Sequence, residues 1–261
     1  QNPFKVYFKE KDINILYRRG EEINIFILLS CLVNFNLSTE NYYKKYIQFA
    51  KPKIILTALD TFPMFYRLSK LTNVKTACIQ WGTQNRWDGL FSNKYMTNPK
   101  NKKKFFVDYI FTHNKKVSKK FKTFCGGETV EIGSFYNNIN KKFITKKKKE
   151  ILFISTHKPY LVQAGYLGSK NKLLFKNDEH IIKCLSDFAH KNNLKLNILG
   201  RAIGLGSPEK EYFNKIIRIK YKFIPNYKGR DSNMIAEQFE YVFTIDSTLA
   251  LENIVKNGKT G

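Results

Sequence analysis

YVFTIDSTLALE, residues 241–252, changes periodicity in its middle. Tyr241–Ile245 is a run of aromatic and β-branched residues, the pattern of a buried strand. Asp246, Ser247 and Thr248 can each cap a helix, and Leu249, Leu251 and Ile254 continue at near-helical spacing. Strand, polar turn and helix start therefore follow one another. A helix start offers free backbone N–H groups and the positive end of the dipole, and two hydroxyls add donors of their own. That combination suits a phosphate. Glu252, about one turn further, can accept hydrogen bonds from a sugar hydroxyl. The same residues also read as an ordinary cap followed by a solvated Glu252.

Working outward, the chain alternates. Strands are expected at Ile13–Tyr17, Ile54–Ala58, Thr76–Gln80, Phe105–Thr112 and Thr129–Ile132. Helices are expected at Ile23–Val33, Tyr42–Ala50, from Asp60-Thr61 onward, and at Lys115–Phe121. Asn137–Lys149, ending in four lysines, is a poor core segment and reads as a linker. The pattern restarts with strands at Ile151–Ile154, Leu196–Leu199, Phe223–Pro225 and Tyr241–Ile245. Helices at Ile181–Asn192, Glu209–Ile217 and Asn233–Glu240 separate them. Strands divided by helices argue for parallel βαβ units. The expectation is two α/β domains, 1–145 and 146–261, with a single long α/β sheet as the competing architecture. The chain opens without Met, and Lys259-Thr260 leads toward a further strand, so the second domain is expected to be incomplete.

Composition excludes several classes. With 43% hydrophobic and 15% aromatic residues the chain is globular. A net charge of +25 invites nucleic acid, but the lysines are dispersed and no nucleic-acid-binding signature accompanies them. A nucleotide diphosphate or an anionic membrane surface is attracted equally, so peripheral membrane contact stays open. Cys31, Cys78, Cys125 and Cys184 match no metal spacing and read as buried reduced thiols of a cytoplasmic protein. No metal or cofactor is expected. The longest apolar run, Ile25–Val33, is too short to span a bilayer.

In open parallel sheets ligands lie beyond the carboxyl ends of the strands. Here nearly every strand exits into polar or glycine residues. In the first half these are Asp60, Gln80-Trp81-Gly82 and Gly133-Ser134. In the second they are Ser155-Thr156, Gly200-Arg201 and Asp246-Ser247-Thr248. Turns need such residues anyway. Taken together, they describe two polar rims lining a central cleft, with Arg201 as a fixed cation for a phosphate.

The series KPKIILTALD, IQWGTQ, EIGSF, ILFIST and FTIDSTLALENIVKNGKT resembles a family of bacterial transferases of surface-carbohydrate biosynthesis. More broadly it is similar to glycosyltransferases with two facing Rossmann-like domains, the GT-B type. The resemblance runs from about Ile13 to the end. Gln80-x-Gly82 and Asp246-Ser247-Thr248 with Glu252 and Gly258 are its most specific parts. It implies that the second domain holds a nucleotide-activated sugar and the first a glycan or glycolipid acceptor. By the same analogy Ser247 and Thr248 contact donor phosphate and Glu252 the ribose or sugar. Thr61 and Trp81 depart from the family pattern.

Such a transfer needs donors for the leaving phosphate, which a helix start and Arg201 supply without a metal. It needs a base if configuration inverts, for which Asp60 is the candidate, its alternative role being a helix cap. It also needs exclusion of water. An epimerase of the same two-domain form, a non-catalytic scaffold of polysaccharide assembly and a nucleic-acid binder remain as other readings.

Overall fold

The computed structural model describes residues 3–16, 22–82, 94–139, 147–157, 169–201, 206–227, 231–245, 247–256 and 259–260. The chain divides into two compact units, Gln1–Asn140 and Lys141–Gly261.

In the first unit, helices α1 (Ile25–Val33) and α2 (Thr39–Ala50) precede β1 (Ile54–Thr57), α3 (Phe65–Leu71) and β2 (Lys75–Ile79). Then come the short α4 (Lys94–Thr97), β3 (Phe106–Thr112), α5 (Lys115–Phe124), β4 (Gly126–Glu131) and α6 (Phe135–Ile139). The four strands pair in parallel in the order β1-β2-β3-β4. Val107 and Ile110 of β3 pack against Tyr66 and Leu68 of α3 and Phe121 and Phe124 of α5, all buried. Three of these helices start where the sequence offers an acceptor. Asn24, Ser38 and Asn114 receive the N–H of Ile27, Asn41 and Val117, capping α1, α2 and α5.

In the second unit, β5 (Lys148–Ile154), α7 (Ser169–Lys191), β6 (Leu196–Leu199), α8 (Gly206–Ile216) and β7 (Tyr221–Ile224) form the first half. After them come α9 (Ser232–Ala236), β8 (Phe239–Thr244), α10 (Thr248–Val255) and β9 (Lys259–Thr260). The order is β7-β6-β5-β8-β9, all parallel. Ile151, Phe153 and Ile198 turn to one face, with Ile182 of α7 and Phe213 and Ile216 of α8. Leu152, Ile154 and Val242 turn to the other, with Ile235 and Ala236 of α9 and Leu249 of α10. Burial on both faces explains the near-continuous apolar runs of β5 and β6. The architecture is α/β with two Rossmann-like parallel sheets, as expected.

Several elements differ from the sequence expectation. Ile13–Leu16 makes no sheet ladder, and Tyr17 lies outside the described residues. Leu16 nevertheless packs on the core of the first unit. The helix expected from Asp60-Thr61 starts at Phe65. Pro63 disfavours the helical region for Phe62, which works against a helix running through that point. The expected linker Asn137–Lys149 is shorter, because α6 reaches Ile139 and β5 begins at Lys148. Lys148 fits a strand start because its Nζ reaches Gln238 Oε1 at 3.3 Å and lies over the Phe239 ring. Cys184 is exposed, unlike Cys31, Cys78 and Cys125.

Candidate functional site

The strand order of the second unit determines where to look. The chain builds outward from β5 through β6 to β7, then returns to the other side of β5 with β8. Carboxyl ends diverge at such a reversal, leaving a crevice between the two strands flanking it. The residues leaving those strands are Ser155-Thr156 and, past Asp246, Ser247-Thr248. Asp246 lies outside the described residues.

A hollow of about 250 Å³ occupies this position. Ser155, Thr156, Arg201, Ser247 and Thr248 line it together, with Asn226 and Ser232 at its margin. Among its described lining residues Arg201 alone is charged. Ser247 adopts the extended backbone of an N-cap, and its Oγ accepts the Leu249 N–H at 3.3 Å. Its hydroxyl proton stays available to an anion. Ser155 is buried, and its Oγ accepts the His157 N–H at 3.1 Å, so the β5 exit is held as a tight turn. A larger hollow of about 580 Å³ spreads along the sheet face over β6 and β7. It lies off the strand reversal and offers no helix start.

The Arg201 turn is held from beneath. Glu209 of α8 is fully buried, and its carboxylate accepts the Arg201 N–H at 3.0 and 3.1 Å. Asn226 Nδ2 donates to the Arg201 carbonyl at 3.1 Å. A Cβ on Gly200 would sit 2.8 Å from Phe223 Cζ and 3.0 Å from Glu209 Oε2, so close approach requires glycine there. Arg201 is exposed and lines the hollow. Sequence reading passed over Glu209 as a site residue. Its signal is spacing, because positions 209, 213 and 216 share one helix face with Phe213 and Ile216 in the core. A carboxylate on that face has to be satisfied by something fixed.

His157, three residues past β5, is also buried, its ring stacked on Tyr212 with centroids 4.0 Å apart. Burial pushes its imidazole down to about 4, so it is neutral at pH 7.

Glu252 does not line the hollow. It lies further along α10, half-buried, and burial pushes its carboxyl up to about 7, with Asp231 and Glu237 adding and Lys256 opposing. A solvated surface residue it is not. Its folded-state pKa exceeds its unfolded value of 4.5, so protons are held more tightly in the native state between these values. Stability contributed by the neutral carboxyl is present below about pH 4.5 and lost as pH rises toward 7. Glu252→Gln is therefore expected to stabilise the second unit at pH 8 by up to about 3 kcal/mol. The gain should shrink to nothing below pH 4.5, read from thermal melts across that window.

In the first unit the named residues fall at the carboxyl end of its own sheet. Asp60 follows β1 and is 5% exposed, its backbone carbonyl accepting the Tyr66 hydroxyl at 2.7 Å. Gln80 is buried; its Oε1 accepts the His113 N–H at 2.9 Å and its Nε2 donates to the Gly82 carbonyl at 2.9 Å. It ties the exits of β2 and β3 together, and its amide faces backbone. Gly133, at φ +71°, turns β4 into α6, which Ser134 Oγ starts by accepting the Asn137 N–H. Trp81 packs edge-on against Phe135, centroids 5.8 Å apart.

Residues 77–261 match the model of a protein family described as "putative O-antigen biosynthesis protein". The chain belongs to this family. No curated protein sequence matches it. Among solved structures, Staphylococcus aureus MnaA with UDP is 16% identical, with TM-score 0.57 over 93% of this chain and 65% of that one. UDP-N-acetylglucosamine 2-epimerase from Rickettsia bellii is 14% identical, with TM-score 0.53 over 98% of this chain and 67% of that one. This member of the O-antigen biosynthesis family thus shares the two-domain fold of such nucleotide-sugar enzymes and spans 65% of the length of MnaA. Among the described residues no helix is long and apolar enough to cross a membrane.

Proposed function

We propose that the chain is a glycosyltransferase, taking a sugar from a nucleotide-activated donor to a glycan or glycolipid acceptor. The supporting observation is the polar hollow at the β5/β8 reversal, where a hydroxyl-bearing helix start and Arg201 converge. In this reading the diphosphate lies against the N-terminus of α10 and receives the Ser247 and Thr248 hydroxyls. Arg201 neutralises charge developing on the leaving group, so protein donors alone stabilise it. Glu252, one turn on, accepts from a ribose or sugar hydroxyl. The first unit presents the acceptor, and Asp60 removes its proton.

A second reading is favoured by the fold likeness to a UDP-N-acetylglucosamine 2-epimerase. An epimerase shares the diphosphate site but changes the donor in the absence of any acceptor. Product analysis with donor alone separates the two. A new sugar nucleotide would establish epimerisation, and intact donor with acceptor-dependent nucleotide release would establish transfer.

The phosphate assignment has its own test. A thermal-shift screen of UDP, CDP, GDP and CMP identifies the base, since ligand bound to the folded form raises the melting point. Ser247→Ala combined with Thr248→Ala is then expected to weaken that nucleotide by about 10²–10⁴-fold in calorimetry, the worth of two hydrogen bonds to a charged group. Unchanged affinity would take the phosphate away from α10.

A further inference from the structure

Helix α1 is inverted relative to an ordinary surface helix. Its sequence, IFILLSCLV, contains no charged residue, and only Ile27 and Cys31 are buried. Ile25, Phe26, Leu28, Leu29, Leu32 and Val33 are all exposed, Phe26 at 79% and Val33 at 78%. At ~100° per residue these six fall within one continuous arc of roughly 160°, opposite the buried pair. Surface helices normally turn polar residues that way. Phe35 extends the anomaly. It occupies the left-handed position after the helix, φ +49°, where glycine or asparagine is favoured, and is 98% exposed. An apolar patch of this kind marks an interaction surface.

The surrounding charge identifies the occupant. Lys45 Nζ donates to Ser30 Oγ at 2.9 Å, so an ammonium group borders the apolar arc directly. Lys44 and Lys51 of the same helical hairpin are exposed. Of the acids in this region, Glu40 is bridged by Arg67 at 2.7 Å. A second copy of the chain would bring its own charge of +25 to this face, which opposes self-association. Nucleic acid would satisfy the lysines but not the leucines. We infer that α1 with Phe35 is a docking surface for an anionic phospholipid bilayer. The helix lies in the plane of the interface, with its apolar arc among the acyl chains and the lysines at headgroup level. At nine residues it can rest in the interface but not cross it. The inference is independent of the sugar-transfer reading, because no residue of the diphosphate site takes part.

Flotation of the purified chain with vesicles tests it, comparing phosphatidylcholine alone with phosphatidylcholine and phosphatidylglycerol. Binding is expected only to the anionic vesicles and is expected to weaken with salt. Phe26→Ser with Phe35→Ser should lower the partition coefficient about tenfold or more. Both sites are exposed, so circular dichroism should be unchanged. Lys44→Gln with Lys51→Gln should lower it by about fivefold per lysine at low salt. No binding by the wild type would overturn the inference. So would binding that the phenylalanine pair leaves unaltered, because the lysines alone would then account for it. A dimer in sedimentation that the same pair dissociates would assign the face to a second copy instead, and would equally overturn it.

Discussion

Lys256→Met is expected to cost the second unit about 3–5 kcal/mol of stability, the effect of leaving one member of a buried ion pair alone. Lys256 Nζ lies 2.5 Å from Glu237 Oε1, and their side chains are 3% and 7% exposed. Glu237 ends α9 and Lys256 ends α10. The pair therefore clasps the two helices whose starts carry Ser232 and Ser247-Thr248 into the hollow. Methionine fills the space of the lysine stem without its charge, so Glu237 would keep its burial and lose its partner. The calorimetric transition of residues 141–261 should fall by on the order of 10–20 °C. A second consequence distinguishes lost charge from lost packing. Lys256 holds the Glu252 carboxyl below where burial alone would put it. Its removal should therefore move the pH-dependent loss of stability to higher pH. Lys256→Met with Glu237→Leu should recover most of the melting point, because both charges are then gone. A double variant no more stable than the single one would show that packing, not charge, sets the cost.

That clasp was not legible in the sequence, and the reason is separation. Its partners lie 19 positions apart on different helices. Nothing local marks a lysine at a helix end as buried. What was legible rested on local grammar. Leu196–Leu199 is apolar but for Asn197, in a sheet covered on both faces, and its bounds come out as read. Ser247 and Thr248 announce a helix start through their own chemistry. Gly126-Gly127 show the opposite case, because β4 was expected only from Thr129. They are instead the first residues of that strand. A Cβ at Gly127 would stand 1.7 Å from the Val107 carbonyl oxygen, so the pair is set by close approach to β3 rather than by a turn. Glu209 sits between these cases. Its helical phase was visible, but its partner, the backbone N–H of Arg201, becomes identifiable only once α8 is packed against the β6 exit.

Asp60→Asn is expected to reduce sugar transfer by about 10²–10⁴-fold, the usual worth of a positioned base, while leaving nucleotide affinity at the wild-type value. The substitution is informative because of how the residue is held. The Tyr66 hydroxyl bonds the Asp60 backbone carbonyl at 2.7 Å, and asparagine retains that carbonyl. The turn after β1 should therefore keep its position when the carboxylate is replaced by an amide of the same shape. Tyr66 is buried, and burial raises its hydroxyl well above the ordinary tyrosine value, with nearby Cys78 and Asp60 contributing. At neutral pH it is thus a fixed donor rather than a competing base. Loss of turnover at constant melting temperature would then belong to the chemistry of the carboxylate. A fall in melting temperature that accounts for the lost activity would make Asp60 a support of the β1 exit. Wild-type turnover in Asp60→Asn would remove it from the reaction and send the search for a base to other groups at the carboxyl end of the first sheet.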